Sequence, residues 1–241
     1  MRVPPKSPPR HHWRIAHRGA SAYEPENTLR AFRRALELGA DGIELDVHLS
    51  QDGHPVVIHD ASVEKTTDGK GLVAEMSLEE LRRLDAGKGE RIPTLEEVLH
   101  EFGGHCLLLI ELKGEGTPQA VVETVRRHRL ENWVILSSFD PTKVAAVKEI
   151  APELETSVLT GSWEVDFVAL AEEARADCIQ FGWERHPAPH TLLTPELFQR
   201  AQEAGLRVLC WHEERPHVIA ALSRMPVYGI CSDRPDLLVK D

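Results

Sequence analysis

The chain has 241 residues and an acidic balance, 39 Asp and Glu against 28 Lys and Arg, for a formal charge of −11. That argues against nucleic acid as a main partner, because such binding rests on neutralising phosphates with basic side chains, and any anionic substrate must be attracted locally. No run approaches the roughly 20 apolar residues of a membrane span, and the Pro-rich, basic residues 1–10 lack the apolar stretch of a secretory signal, so a soluble cytoplasmic protein without stable membrane insertion is expected.

Residues 1–11 read as a flexible leader and 12–241 as one domain, a length at which barrels of alternating strands and helices are common. A short strand over 13–17 ends in His17-Arg18-Gly19. A helix follows from about Asn27, with Asn27 as its N-cap, Leu29, Phe32 and Leu36 at helical spacing, and Gly39 as its stop. Next comes the apolar run Gly42-Ile43-Glu44-Leu45-Asp46-Val47. Side chains on a strand alternate, so Glu44 and Asp46 project from one face, and two acids facing one way want a cation. Asp52-Gly53 between this run and Pro55-Val56-Val57-Ile58-His59 signals a hairpin. Read as a two-residue turn, it sets His59 opposite Asp46.

Residues 61–105 show no obvious strand and read as an insertion over one face. They hold two short helical patterns, 77–84 and 94–101, each opening on a hydroxyl cap with Glu80 or Glu97 three residues on. A strand–helix rhythm follows: strands over 106–112, 133–138, 156–159, 178–181, 206–211 and 227–231, and helices over 118–128, 142–150, 165–174, 195–204 and 216–222. With the strands that start at Trp13 and Gly42 this makes eight parallel strands, predicting an α/β fold of the closed (β/α)₈ TIM-barrel type. A doubly wound open sheet is the alternative, without the Gly-x-Gly-x-x-Gly of a dinucleotide site. Cys106, Cys178, Cys210 and Cys231 lie in or beside apolar runs without paired or metal-type spacing and read as reduced core residues.

In such a barrel, chemistry gathers where strands end, and the polar interruptions fall there: His17-Arg18, Glu44 and Asp46, Glu111 and Lys113, Trp211-His212, Ser232-Asp233. Glu44, Asp46 and Glu111, with no thiolate among them, form a hard oxygen site suited to one divalent ion, Mg²⁺ or Ca²⁺. Flanked by Arg18 and Lys113, such an ion has the charge to hold a phosphate diester. His17 and His59 then lie on opposite sides of the phosphate, one imidazole taking a proton and the other donating one.

His17-Arg18-Gly19, Pro25-Glu26-Asn27-Thr28, Glu44-Leu45-Asp46-Val47, His59-Asp60, Thr66-Thr67-Asp68-Gly69, Leu84-Asp85-Ala86-Gly87, Ile92-Pro93-Thr94-Leu95-Glu96-Glu97 and Glu111-Leu112-Lys113 occur in that order. Together with Ser138-Phe139-Asp140 and Ser232-Asp233-Arg234-Pro235, this set resembles the glycerophosphodiester phosphodiesterase family. The resemblance implies a somewhat irregular barrel with a small insertion after the His59 strand, a divalent metal on Glu44, Asp46 and Glu111, Arg18 and Lys113 on the phosphate, and His17 and His59 as the acid–base pair. It implies hydrolysis of a small-molecule glycerophosphodiester to sn-glycerol 3-phosphate and an alcohol, by way of a cyclic phosphate or by direct attack of water.

The chain departs from the family at Trp211-His212-Glu213-Glu214, where Trp-Thr-Val-Asn is usual. Trp211 is kept as a wall for substrate. Glu213 and Glu214 read either as solvated acids at a helix start or as partners for a cationic head group. Two other readings stand beside the main one: a phospholipase D acting on lysophospholipids, which calls for an apolar lid, and a non-catalytic phosphate- or metal-binding barrel. Residues 61–105 carry charge throughout and no apolar stripe, which favours water-soluble diesters. Oligomeric state is not legible.

Overall fold

A computed structural model describes residues 8, 11–183 and 186–238; the leader expected at 1–11 falls almost wholly outside them. Among the described residues one sheet holds nine strands: β1 (Trp13–Ala16), β2 (Gly42–Leu49), β3 (Pro55–Val57), β4 (Leu107–Leu112), β5 (Val134–Ser138), β6 (Glu155–Thr160), β7 (Cys178–Gly182), β8 (Arg207–Trp211) and β9 (Gly229–Ser232). Eight run parallel from β1 through β2 and β4 round to β9, and β9 pairs β1 to close the ring. The expected (β/α)₈ barrel is the fold; β3 lies antiparallel on β2 as an extra strand.

Helices cross between the strands: α1 (Leu29–Glu37), α2 (Leu78–Leu81), α3 (Leu95–Phe102), α4 (Thr117–His128), α5 (Pro141–Ile150), α6 (Phe167–Ala174), α7 (Pro195–Glu203) and α8 (Pro216–Leu222). α3 buries Leu95, Val98, Leu99 and Phe102 in the same core as Ile43, Leu45, Leu108 and Ile110, and so forms the crossover from β2 to β4. The segment before it keeps a smaller core of its own around Val63, Val73, Leu81 and Ile92. Ser77 and Thr94 cap α2 and α3 with the reciprocal Glu80 and Glu97 bonds that the spacing predicts.

Strand periodicity sorts the side chains. On β4, Leu108, Ile110 and Leu112 pack outward under the helices, while Leu107 and Leu109 join Trp13, Ile15, Ile135, Cys178, Leu209 and Cys231 in a core inside the barrel. The inward columns turn polar one step higher: Ile15 gives way to His17, Leu109 to Glu111, Leu209 to Trp211. All four cysteines are buried and free, as expected.

Two local expectations need correction. Thr28, not Asn27, caps α1, its hydroxyl accepting the amide of Ala31; Asn27 sits at φ 58, a left-handed conformation that Asn tolerates, and is buried against Asp46. The hairpin register is also one residue off. Ser50 pairs His54, leaving Gln51, Asp52 and Gly53 as a three-residue loop with Gly53 at φ +81. Val47 then faces Val57, and Ile58, rather than His59, lies opposite Asp46, its amide donating to the Asp46 carbonyl at 3.0 Å. His59 lies one residue beyond the pairing, outside strand alternation.

Candidate active site

The register of β2 on β4 sets Asp46 beside Glu111, and Glu44 lies two residues before Asp46 on the same face. Ligand atoms of the three carboxylates all lie within 4.8 Å of one another, and all three residues are buried. Burial and mutual repulsion raise Glu44 well above the usual carboxylate range and push Glu111 up to about 7. For Asp46, burial is outweighed by Lys113 and Arg18, and its carboxyl stays below the ordinary range. Asp46 Oδ1 is buried without a hydrogen bond, its nearest charge being Lys113 Nζ at 3.4 Å. Three converging acids that repel one another, one with an unsatisfied buried oxygen, make a donor set that fits a hard divalent cation.

Each acid is held from outside the cluster. Asn27 Nδ2 donates to Asp46 Oδ2 at 2.8 Å, and the Arg18 amide donates to Glu44 Oε2 at 2.8 Å. Arg18 reaches that position at φ 54, followed by Gly19 at φ +82, where an added Cβ would lie 2.7 Å from the Ala31 carbonyl carbon. The Arg18 guanidinium pairs Glu26 at 2.9 Å and Asp46 at 3.3 Å; Lys113 Nζ lies 2.7 Å from Glu111.

His17 follows β1 and is buried, its Nδ1 2.6 Å from Asp233 Oδ1 just beyond β9. Burial lowers the proton affinity of His17 against the pull of Asp233. Burial opposes the charge on Asp233 as well, but the His17 bond and the nearby imidazoles bring its carboxyl down to about 2. A neutral imidazole beside an ionised acid keeps its proton on Nδ1, which leaves Nε2 as the basic nitrogen. Ser21 Oγ donates to the same Asp233 oxygen. His59, partly exposed, is oriented in the same manner by Asp60 Oδ1 at 2.6 Å.

A cavity of about 410 Å³ brings together His17, Arg18, His59, Glu111, Lys113 and Trp211. Every residue picked out from the sequence therefore lies at one barrel mouth, Glu44 and Asp46 in the cluster beneath it. Sequence reasoning did not assign Lys65, Ser21, Phe139 or His212, which also line the cavity. Phe139 and Lys65 sit in or beside motifs that carry the family resemblance, and His212 lies in the stretch that departs from it; Ser21 carries no sequence signal. A larger cavity, about 630 Å³, opens near the starts of β8 and β9 and has no carboxylate among the described residues that line it.

Glu213 is not solvated, and Glu214, partly exposed, is committed to its neighbours. Glu213 is 1 % exposed and is gripped by Arg215 at 2.6 and 2.7 Å and by Trp183 Nε1 at 3.1 Å. Glu214 accepts the Asp233 amide at 2.9 Å and pairs with His212 Nδ1, whose ring stacks on His17 with centroids 4.7 Å apart.

Comparison with known proteins defines the class. The solved structure of a glycerophosphodiester phosphodiesterase from Agrobacterium tumefaciens superposes with a TM-score of 0.83 at 31% identity, covering 93% of this chain and 97% of that one. A phosphodiesterase from Oleispira antarctica, solved in complex with the product sn-glycerol-3-phosphate, gives 0.80 at 29% identity over 93% of this chain and 94% of that one. These are TIM-barrel phosphodiesterases, and the barrel described above is of their kind. A curated glycerophosphodiester phosphodiesterase of Caldanaerobacter subterraneus is 39% identical over 240 residues, 93% of this chain and 95% of that protein. The family model described as "Glycerophosphoryl diester phosphodiesterase family" matches residues 17–237. The chain belongs to that family and is an enzyme of its class, a hydrolase of glycerophosphodiesters.

Proposed function

We propose that the enzyme cleaves water-soluble glycerophosphodiesters to sn-glycerol 3-phosphate and an alcohol, with His17 and His59 as acid–base pair. One divalent cation, Mg²⁺ or Ca²⁺, is held by Glu44, Asp46 and Glu111. The observation that carries this reading is one cavity lined by two imidazoles, each tied at Nδ1 to its own carboxylate, above a buried cluster of three acids. The Oleispira antarctica neighbour holds the corresponding product, which supports the choice of substrate.

Arg18 and Lys113, on either flank of the acids, take the non-bridging phosphate oxygens. The cation, when bound, supplies Lewis-acid stabilisation of the negative charge that grows on those oxygens. Neutral His17 accepts the proton of the attacking hydroxyl, either the glycerol 2-hydroxyl or water, while His59 protonates the departing alcohol oxygen. After internal attack the roles reverse: His59 takes a proton from water, His17 returns one to the glycerol oxygen, and the cyclic phosphate opens. Trp211 and Phe139 wall the substrate on the side away from the acids.

In the assay that tests this, wild-type enzyme with Mg²⁺ or Ca²⁺ releases sn-glycerol 3-phosphate from glycerophosphodiesters. His17→Ala and His59→Ala each lower turnover by about 10²-fold or more, and calorimetry still registers cation binding. Wild-type turnover in either variant would end the acid–base assignment, and full activity in excess chelator would end the metal role.

A further inference from the structure

Beside the phosphate cavity lies a second cleft, of about 340 Å³, which shares Phe139 and Trp211 with it and is completed by Trp163, Trp183, His186 and the edge of β7. Phe139 stands edge-on to Trp211 with centroids 5.4 Å apart and is 43% exposed, so the two rings form a low wall between the cavities. A substituent on a phosphate held by Arg18 and Lys113 passes over that wall into the cleft. We infer that this aromatic cleft is the subsite for the leaving alcohol and selects a quaternary ammonium head group, of the choline type. The inference rests on the phosphodiester reading of the adjoining cavity.

The lining decides the chemistry. Among the described residues it presents aromatic surface and no uncommitted carboxylate. The acceptor nitrogen of His186, Nδ1, is taken by the Ala188 amide at 3.1 Å. Both oxygens of Glu213, just behind Trp183, are taken by Arg215 and by the indole N–H of Trp183. A primary ammonium is held to water by N–H hydrogen bonds that aromatic faces do not replace, which costs free energy on entry. A trimethylammonium group has no such bonds to lose, and it is attracted to the faces of aromatic rings.

The cleft is also built in advance. Trp163 stacks on Phe181 at 4.8 Å and near Trp183 at 6.2 Å. The Arg215 guanidinium, besides gripping Glu213, donates to the carbonyl of His186 at 2.7 Å, tying the Trp183 side of the cleft to the start of α8. Glu213 thereby fixes the Trp183 ring, which is 4% exposed and backs Trp163.

The test compares glycerophosphocholine with glycerophosphoethanolamine, which differ by three methyl groups. Wild-type kcat/KM is expected to favour the choline diester about tenfold. Trp163→Leu is expected to lower the choline constant about fivefold more than the ethanolamine constant, and Trp163→Phe to restore most of the preference. Equal constants in the wild type, or an equal fall of both in Trp163→Leu, would overturn the inference. So would faster turnover of lysophosphatidylcholine than of glycerophosphocholine, which would make the cleft an acyl site. Calorimetry with tetramethylammonium needs no turnover: millimolar binding by wild type, weakened in Trp163→Leu, supports the subsite, and its absence from wild type refutes it. Binding of tetramethylammonium by an enzyme inactive on every glycerophosphodiester would uphold the cleft and refute the catalytic reading instead.

Discussion

Asp233 orients His17, and burial sets its protonation. Burial lowers the affinity of this imidazole for protons, so it titrates below 6.5 and is neutral above that. Turnover per enzyme at low substrate is therefore expected to fall on an acid limb that begins under pH 6.5. Asp233→Asn removes both the orienting acceptor and a negative charge that favours the imidazolium, so kcat should drop by about 10²–10⁴-fold and the acid limb should move to lower pH. Unchanged kcat, or a limb moved upward, would refute the orienting role. At this scale, what strand periodicity controls was legible: Glu44, Asp46 and Glu111 share an inward column position, and His17 ends a strand. What was not legible were contacts made across the chain, such as Ser21 with Asp233 or Glu214 with His212 and Asp233. Asn27 was misjudged because a polar residue before a helix is usually its cap, whereas here it is spent on Asp46 19 positions away.

The strand–helix units were readable because their signals are local: a hydroxyl with Glu three residues on, an apolar run, a glycine stop. Turn lengths are not so local. Asp52-Gly53 advertises a hairpin but does not say whether Gln51 joins the loop, and one extra loop residue moved the partner of Asp46 by one position. Two left-handed glycines, Gly19 beside Arg18 and Gly53 in the hairpin loop, offer a contrast for mutagenesis. An alanine at Gly53 meets nothing within 4 Å and should cost only its backbone strain, about 1 kcal/mol, whereas Gly19→Ala drives a methyl group into the backbone of α1. Chemical denaturation should show Gly19→Ala losing about 1–3 kcal/mol more than Gly53→Ala, with a larger fall in activity because Arg18 is displaced with it. Equal losses would mean that α1 shifts freely to make room.

Over the whole molecule, the buried acids set a cost that a bound cation relieves. Excess Mg²⁺ or Ca²⁺, at about 100 times its dissociation constant, should stabilise the fold by about 2.7 kcal/mol, seen as a raised Tm in scanning calorimetry. Glu111→Gln should abolish most of that increment, and an equal rise in the variant would place the ion elsewhere. Acid acts in two senses. His12 and His17 are both held neutral chiefly by burial, and the unfolded chain binds protons that they refuse, so their contribution is complete above pH 6.5 and is lost as the pH falls below it. Glu44 and Glu111 act against this, because their raised proton affinity lets the folded chain take up protons that relieve the repulsion among the acids; His12→Phe should therefore leave a higher Tm than wild type below pH 6.5 relative to their difference at pH 8. The barrel closes where β9 docks against β1, and that seam carries the pair His17 and Asp233. During synthesis the three acids are all present once residue 111 has emerged, but the orienting partner of His17 arrives 122 residues later. A growing chain thus carries all three acids well before the partner of His17 exists, and the His17–Asp233 pair waits for the strand that closes the ring.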